Sequence, residues 1–129
     1  MKKGFSLLEL VIVLVVVGTL ATLALPQYTR SRERALGREA QSNLRLILAA
    51  EKIYQMEYIT YWPASGSNSI LIDINNNLKL SLVPTNWSWS VTGGAATFTA
   101  SADRVTGPYS NCIYQITQAG GNPTSTNCP

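Results

Sequence analysis

The sequence predicts an α+β chain: a long N-terminal α-helix, membrane-spanning in its first half, packed through its second half on a small antiparallel β-sheet. Three observations carry this. Residues 5 to 25 hold 14 Phe, Leu, Ile or Val and a single ionisable group, Glu9. Residues 28 to 58 place apolar side chains at spacings of three, four and seven, the helical period. Beyond residue 60 the period shortens to two, and the chain becomes rich in Ser, Thr, Asn and Gly.

The first element is set by length and hydropathy. As a helix at about 1.5 Å per residue, residues 5 to 25 reach roughly 31 Å, the thickness of a bilayer core. The apolar residues contribute roughly −4 to −8 kcal/mol to insertion, against at most about +3 kcal/mol for one acidic residue. Glu9 therefore does not prevent insertion. An ordinary secretory signal with a cleavage site near Thr22-Leu23-Ala24 is the competing reading, but its apolar region should run only about 7 to 15 residues.

Glu9 has three readings. Ser6-Leu7-Leu8-Glu9 matches the S-x-x-E capping box, in which the carboxylate reaches back to the Ser6 amide. It is also a tolerable interfacial charge. The third reading requires a cut between Gly4 and Phe5, which would create an ammonium beside the helix start and give Glu9 an ionic partner. A pair is far less costly in hydrocarbon than two lone charges. The amine of a neighbouring helix displaced along the axis serves equally, and Glu9 then sets the register between subunits.

Met-Lys-Lys-Gly4, then Phe5-Ser6-Leu7-Leu8-Glu9, then about 20 apolar residues ending at Pro26 resembles the class III signal of type IV pilins and of the pseudopilins of type II secretion. The resemblance covers residues 1 to about 60 closely and the remainder in general plan. It implies a prepilin peptidase that cuts after Gly4 on the cytoplasmic side and methylates the new amine of Phe5. Glu9 would then be the glutamate that aids docking into a growing filament. On this basis the chain divides into a leader (1–4), a membrane and filament-core helix (5–25), an amphipathic helix continuing into the head (26–60) and a β-sheet head (61–129).

Positive-inside counting alone opposes this topology. It sets Lys2 and Lys3 against Arg30, Arg32, Arg34 and Arg38 on the other flank. The low-charge, Ser/Thr/Asn-rich head suits an exported environment, and the leader motif implies a cytoplasmic N-terminus. Inner-membrane anchoring followed by display at the cell surface is the expected course.

Pro26 has no N–H to give the helix ladder, and Gly18, Thr19 and Thr22 weaken the turn before it, so a kink is expected there. From Tyr28 onward, Leu36, Ala40, Leu44, Ile47, Leu48, Tyr54 and Tyr58 form a one-sided stripe that a sheet could cover. Arg38, Arg45 and Lys52 repeat every seven residues on another face. They read either as a solvated surface or as contacts to neighbouring subunits, with Glu33, Glu39, Glu51 and Glu57 as partners across the filament. DNA binding has little support, because no aromatic residues interleave with the arginines. Tyr28, Tyr54, Tyr58, Tyr61 and Trp62 at helical spacing read as core or interface rather than as a conduction path.

In the head, Trp62-Pro63-Ala64-Ser65-Gly66 opens a loop. Ile70, Ile72 and Ile74 alternate, Asn75-Asn76-Asn77 turns the chain, and Leu78, Leu80 and Leu82 alternate again, which predicts a hairpin. A second hairpin follows: Trp87, Trp89 and Val91, a Thr92-Gly93-Gly94 turn, then Ala96, Phe98 and Ala100. A further strand is expected from Cys112 to Thr117. The helical stripe is the remaining apolar surface to cover one face of these strands.

Two cysteines in a loop-rich tail of a membrane-targeted chain favour a disulfide over a metal site, and no histidine is present to assist zinc. Free thiols or a link between subunits are the alternatives. The resemblance implies that Cys112 and Cys128 are the pair that holds a C-terminal loop on pilin heads. The formal sequon Asn86-Trp87-Ser88 falls at a strand start and carries little weight.

Catalysis is not expected and no cofactor is implied. The head holds two carboxylates, Asp73 and Asp103, without a phosphate-binding loop or nucleophile elbow. Without Lys2 and Lys3, eight cations face seven acids, a balance that selects no polyanionic partner. The implied role is a structural subunit of a type IV pilus, with itself as main partner. Prepilin peptidase, the inner membrane, an assembly platform and an ATPase motor are its implied helpers. DNA or a host surface is not supported by any residue pattern. A type II secretion pseudopilin is the alternative, as is a membrane-anchored binding module that does not polymerise. Major pseudopilins commonly carry an acidic calcium loop near the C-terminus. Here no acid follows Asp103, which favours the pilin.

Overall fold

The computed structural model describes residues 4–129, and the expected leader residues Met1, Lys2 and Lys3 lie outside the described residues. The chain forms two compact units, Met1–Glu33 and Arg34–Pro129. One helix, α1 (Leu7–Tyr58), contributes to both.

In the first unit, Leu7 to Leu25 have their side chains exposed, with Leu10 at 57% and Leu23 at 75%. This stretch is apolar and long enough to cross a membrane by length and composition. The helix continues through Pro26. Around it, hydroxyls bond back to backbone carbonyls, Thr19 to Val16 at 2.8 Å, Thr22 to Thr19 at 2.7 Å and Thr29 to Leu25 at 3.1 Å. Such bonds keep polar side chains satisfied on an apolar helix.

In the second unit α1 buries Ala40, Leu44 and Ile47 of the predicted stripe, together with Ala50, while Leu36 and Leu48 are partly buried. Tyr54 is half-buried at its margin, whereas Tyr58 is 56% exposed and stacks on Tyr54 with centroids 4.4 Å apart. The cover is a five-stranded antiparallel sheet in sequential order, β1 (Gly66–Asn68), β2 (Trp87–Gly93), β3 (Phe98–Arg104), β4 (Ile113–Thr117) and β5 (Thr124–Thr126). Its register aligns the inward residues in rows. Val91 faces Ala100 and Ala100 faces Ile116, while Trp89 faces Ala102 and Ala102 faces Tyr114. All of these side chains are buried in one cluster with the helix residues. At Gly37 the helix comes close to the sheet, since a methyl there would meet the Tyr114 hydroxyl.

The expected hairpin at residues 70–82 is absent. Leu71–Leu78 is instead a helix, α2, with Ile74 and Leu78 buried. Leu71, Ile74 and Leu78 share a helical period with the same residues that alternate, so short-range pattern alone could not decide. The asparagines are helical too. Asn75 exchanges bonds with the Leu82 backbone, donating from Nδ2 to the carbonyl at 3.0 Å and accepting from the amide at 2.9 Å. A side-chain amide thus does what a second strand would have done. Ile70 and Ile72 are left 58% and 65% exposed.

The second hairpin forms as expected, but β2 extends through Gly93 and Ala96 lies outside β3, exposed. Gly93 is required there because a Cβ would fall on the carbonyl oxygens of Trp62 and Pro63.

Candidate functional site

The N-terminal site is built on the first turn of α1. Gly4, Phe5 and Ser6 precede the helix without regular secondary structure and are exposed, Phe5 at 84%. A peptidase would find the Gly4–Phe5 bond accessible. The Ser6 carbonyl accepts the Leu10 amide at 3.2 Å and so starts the helix. Glu9 falls in that first turn, where the helix dipole favours an acid. Its side chain is exposed, and among the described residues no side-chain hydrogen bond or ion pair engages it. The capping box is therefore not closed, and the carboxylate is available to a group from another chain.

Opposed to this end chemically is the C-terminal loop. Cys112 and Cys128 are disulfide-bonded with Cα atoms 4.6 Å apart, so neither is a free thiol. The enclosed loop is more ordered than its composition suggests, because β5 within it pairs with β4 through Ile113–Thr126, Tyr114–Ser125 and Gln115–Thr124. Arg45 of the basic row donates to Asn122 Oδ1 at 2.8 Å. Lys52 lies beside Gly120. One of the three basic residues, Arg45, thus bonds to the loop of its own head, and Arg38 is exposed.

The acids expected to face neighbouring subunits divide. Glu57 is exposed and Glu39 half-buried, but Glu33 and Glu51 are buried at 5% and 0% exposure. Glu51 is not a partner across a filament: its Oε2 accepts the Trp62 amide at 2.9 Å inside the head. Burial pushes its pKa up to about 7, against the lowering effect of that bond. Sequence reasoning missed it although Glu51 stands four residues after Ile47 and seven after Leu44, on the buried stripe.

Two other groupings belong to the head. Arg104, buried, donates to the Asn86 carbonyl at 2.8 Å and lies over the Trp87 ring at 5.6 Å. A groove of about 670 Å³ separates Leu46, Ala49 and Ile53 of α1 from Leu78–Leu80. Tyr61 and Trp62 are core residues and Tyr28 is 70% exposed, so the aromatics form no continuous column among the described residues.

Residues 1–25 match the model of the prokaryotic N-terminal methylation motif. A likeness to two curated proteins runs over 60 residues of the chain. There the chain is 36% identical to the type IV major pilin protein PilA of Myxococcus xanthus, across 46% of this chain and 27% of the relative. It is also 32% identical over 60 residues to the type II secretion system core protein G of Pseudomonas aeruginosa, across 46% of this chain and 42% of the relative. The matched stretch is thus less than half of either relative. The resemblance is borne out at the level of motif and of pilin-like α+β architecture.

Proposed function

We propose that this chain is the structural subunit of a type IV pilus. It would be held in the inner membrane by residues 5–25 and then polymerised through that same helix into a surface filament. The observation that supports the reading is the pairing of a match to the methylation motif at residues 1–25 with an apolar helical stretch exposed from Leu7 to Leu25. Such a surface is stable in lipid or against other copies, and not in water. Gly4 is the proposed cleavage residue, Phe5 the methylated one and Glu9 the acid that pairs with the amine of a neighbouring subunit. Pro26 is proposed to bend the helix where it leaves the core. Prepilin peptidase, an assembly platform and an ATPase motor complete the set of partners.

The intrachain disulfide and the absence of acids after Asp103 support a pilin over a pseudopilin, and the likeness to a secretion core protein keeps the short secretion piston as the second reading. N-terminal sequencing and mass spectrometry of sheared surface filaments test the proposal. The expected product begins at methylated Phe5 with both thiols oxidised. Recovery of a monomer that keeps Met1 and never forms fibres would overturn both filament readings and leave an anchored binding module. Glu9→Gln tests the ion pair: normal membrane insertion with lost assembly is expected, and unimpaired assembly would refute the pairing.

A further inference from the structure

The joint between α1 and the sheet gathers three features that no assembly role explains. The helix stops at Tyr58, and Ile59 turns the chain with φ 62, its amide bonded to the Gln55 carbonyl at 2.8 Å. A β-branched residue rarely adopts this left-handed backbone. Next, the Gly94 carbonyl receives both the Tyr61 amide and the Thr60 hydroxyl at 3.3 Å, and Gly93 lies against the Trp62 and Pro63 carbonyls. Finally, Glu51 reaches from the buried face of α1 to take the Trp62 amide on Oε2. Its other oxygen, Oε1, is buried with no hydrogen-bond partner.

A carboxylate in that position has one amide to offset the loss of water. Among the described residues no cation compensates for it. On α1, Lys52 is exposed with its Nζ beside Gly120, Glu57 is exposed, and Tyr54 is a neutral phenol whose pKa Glu51 helps to raise. The joint contributes only Tyr61, whose ring rests on Phe98 at 5.0 Å. β2 carries no ionisable residue, and on β3 Asp103 and Arg104 stand at the opposite end from Phe98.

We propose that residues 59–63 form a proton-controlled clasp, in which neutral Glu51 holds the end of α1 onto the sheet and ionised Glu51 lets the joint open. Opening costs the Trp62 bond and the burial of Tyr61 and Trp62, and it relieves Ile59 and hydrates the carboxylate. The raised Glu51 pKa agrees with this geometry, since burial is its largest cause. The closed form binds a proton that the open form releases above the ordinary carboxylate value of 4.5, while the closed form itself ionises at about 7. Opening is therefore promoted progressively between those limits and levels off above them.

The test is hydrogen exchange at the Tyr61 and Trp62 amides of the full chain in detergent micelles, expressed as protection relative to intrinsic exchange. Protection should fall on the order of tenfold or more between about pH 5 and about pH 7, with β2 and β3 amides remaining the better protected at every pH. Glu51→Gln keeps an acceptor for Trp62 and removes the titration, so its protection should be flat. Constant protection in the unmutated chain, or an equal fall in the Gln variant, overturns the clasp. Carbon-13 titration of the Glu51 carboxyl in the unmutated chain gives a reading that does not depend on the variant folding. A midpoint near 7 supports the proposal, and one near 4.5 defeats it.

Discussion

Asn75 and Leu82 are joined by a reciprocal pair of hydrogen bonds at 3.0 and 2.9 Å, side-chain amide to backbone on both counts. The pair holds the segment after α2 in place while Leu78 and Leu82 enter the core. Asn75→Ala leaves a half-buried carbonyl and amide without partners, and should lower head stability by about 1–3 kcal/mol. Asn75→Asp keeps the acceptor for the Leu82 amide and should cost less. Thermal unfolding of both variants checks the order.

Gly93 and Gly94 should respond oppositely to a methyl group. At Gly93 the new Cβ meets two carbonyl oxygens of the Trp62–Pro63 backbone, which cannot swing aside as a side chain would. Gly93→Ala is expected to destabilise by roughly 1–3 kcal/mol or more. At Gly94 the nearest atom, the Thr97 carbonyl oxygen, is 3.9 Å away, an ordinary contact. Gly94→Ala should stay within about 0.5 kcal/mol of the parent. Equal losses in denaturant unfolding would show that the close approach at Gly93 does not control the joint.

The contrast between β2–β3 and α2 shows which parts of this fold the residues spell out. Trp87, Trp89 and Val91 alternate with Ser88, Ser90 and Thr92, and such a clean two-sided pattern over seven residues admits one reading. Leu71 to Leu82 carries Ile and Leu at both periods, and Asn75 decides between them only through a bond to Leu82 that exists after folding. β1 and β5, three residues each, were illegible because neither has an apolar side to bury. At the N-terminus the likeness to the methylation motif over residues 1–25 was legible because it depends on spacing and not on tertiary contacts. Glu51 was legible in position but not in state, because its burial depends on Trp62 folding back over it.

Head stability should depend on pH through Glu51, with a sign opposite to that of an ion-paired acid. Its pKa in the folded head is raised from 4.5 to about 7, so the folded state holds the proton more tightly. The contribution is fully present below about pH 4.5, is lost as pH rises toward about 7, and is constant above. At about 1.4 kcal/mol per unit, the whole loss is on the order of 3 kcal/mol. Melting temperature should fall over that interval in the unmutated chain, and Glu51→Gln should flatten the slope and be the more stable form at neutral pH.

The Cys112–Cys128 bond closes a loop of 17 residues, for which chain entropy predicts a contribution of about 3 kcal/mol. The structure sharpens where that contribution acts. Between the cysteines, β5 pairs with β4 at three positions, yet its own residues are all exposed, so no apolar burial holds it there. Arg45 to Asn122 is a single exposed contact and should be worth less than about 1 kcal/mol. Reduction, or Cys128→Ser with Cys112→Ser, should therefore lower the unfolding free energy by about 3 kcal/mol and release the amides of Thr124–Thr126 to exchange, while those of Val91 and Ala100 stay the better protected. Arg45→Ala should leave β5 paired. If Arg45→Ala alone freed β5, the side-chain contact and not the disulfide would be what holds the C-terminal loop to the head.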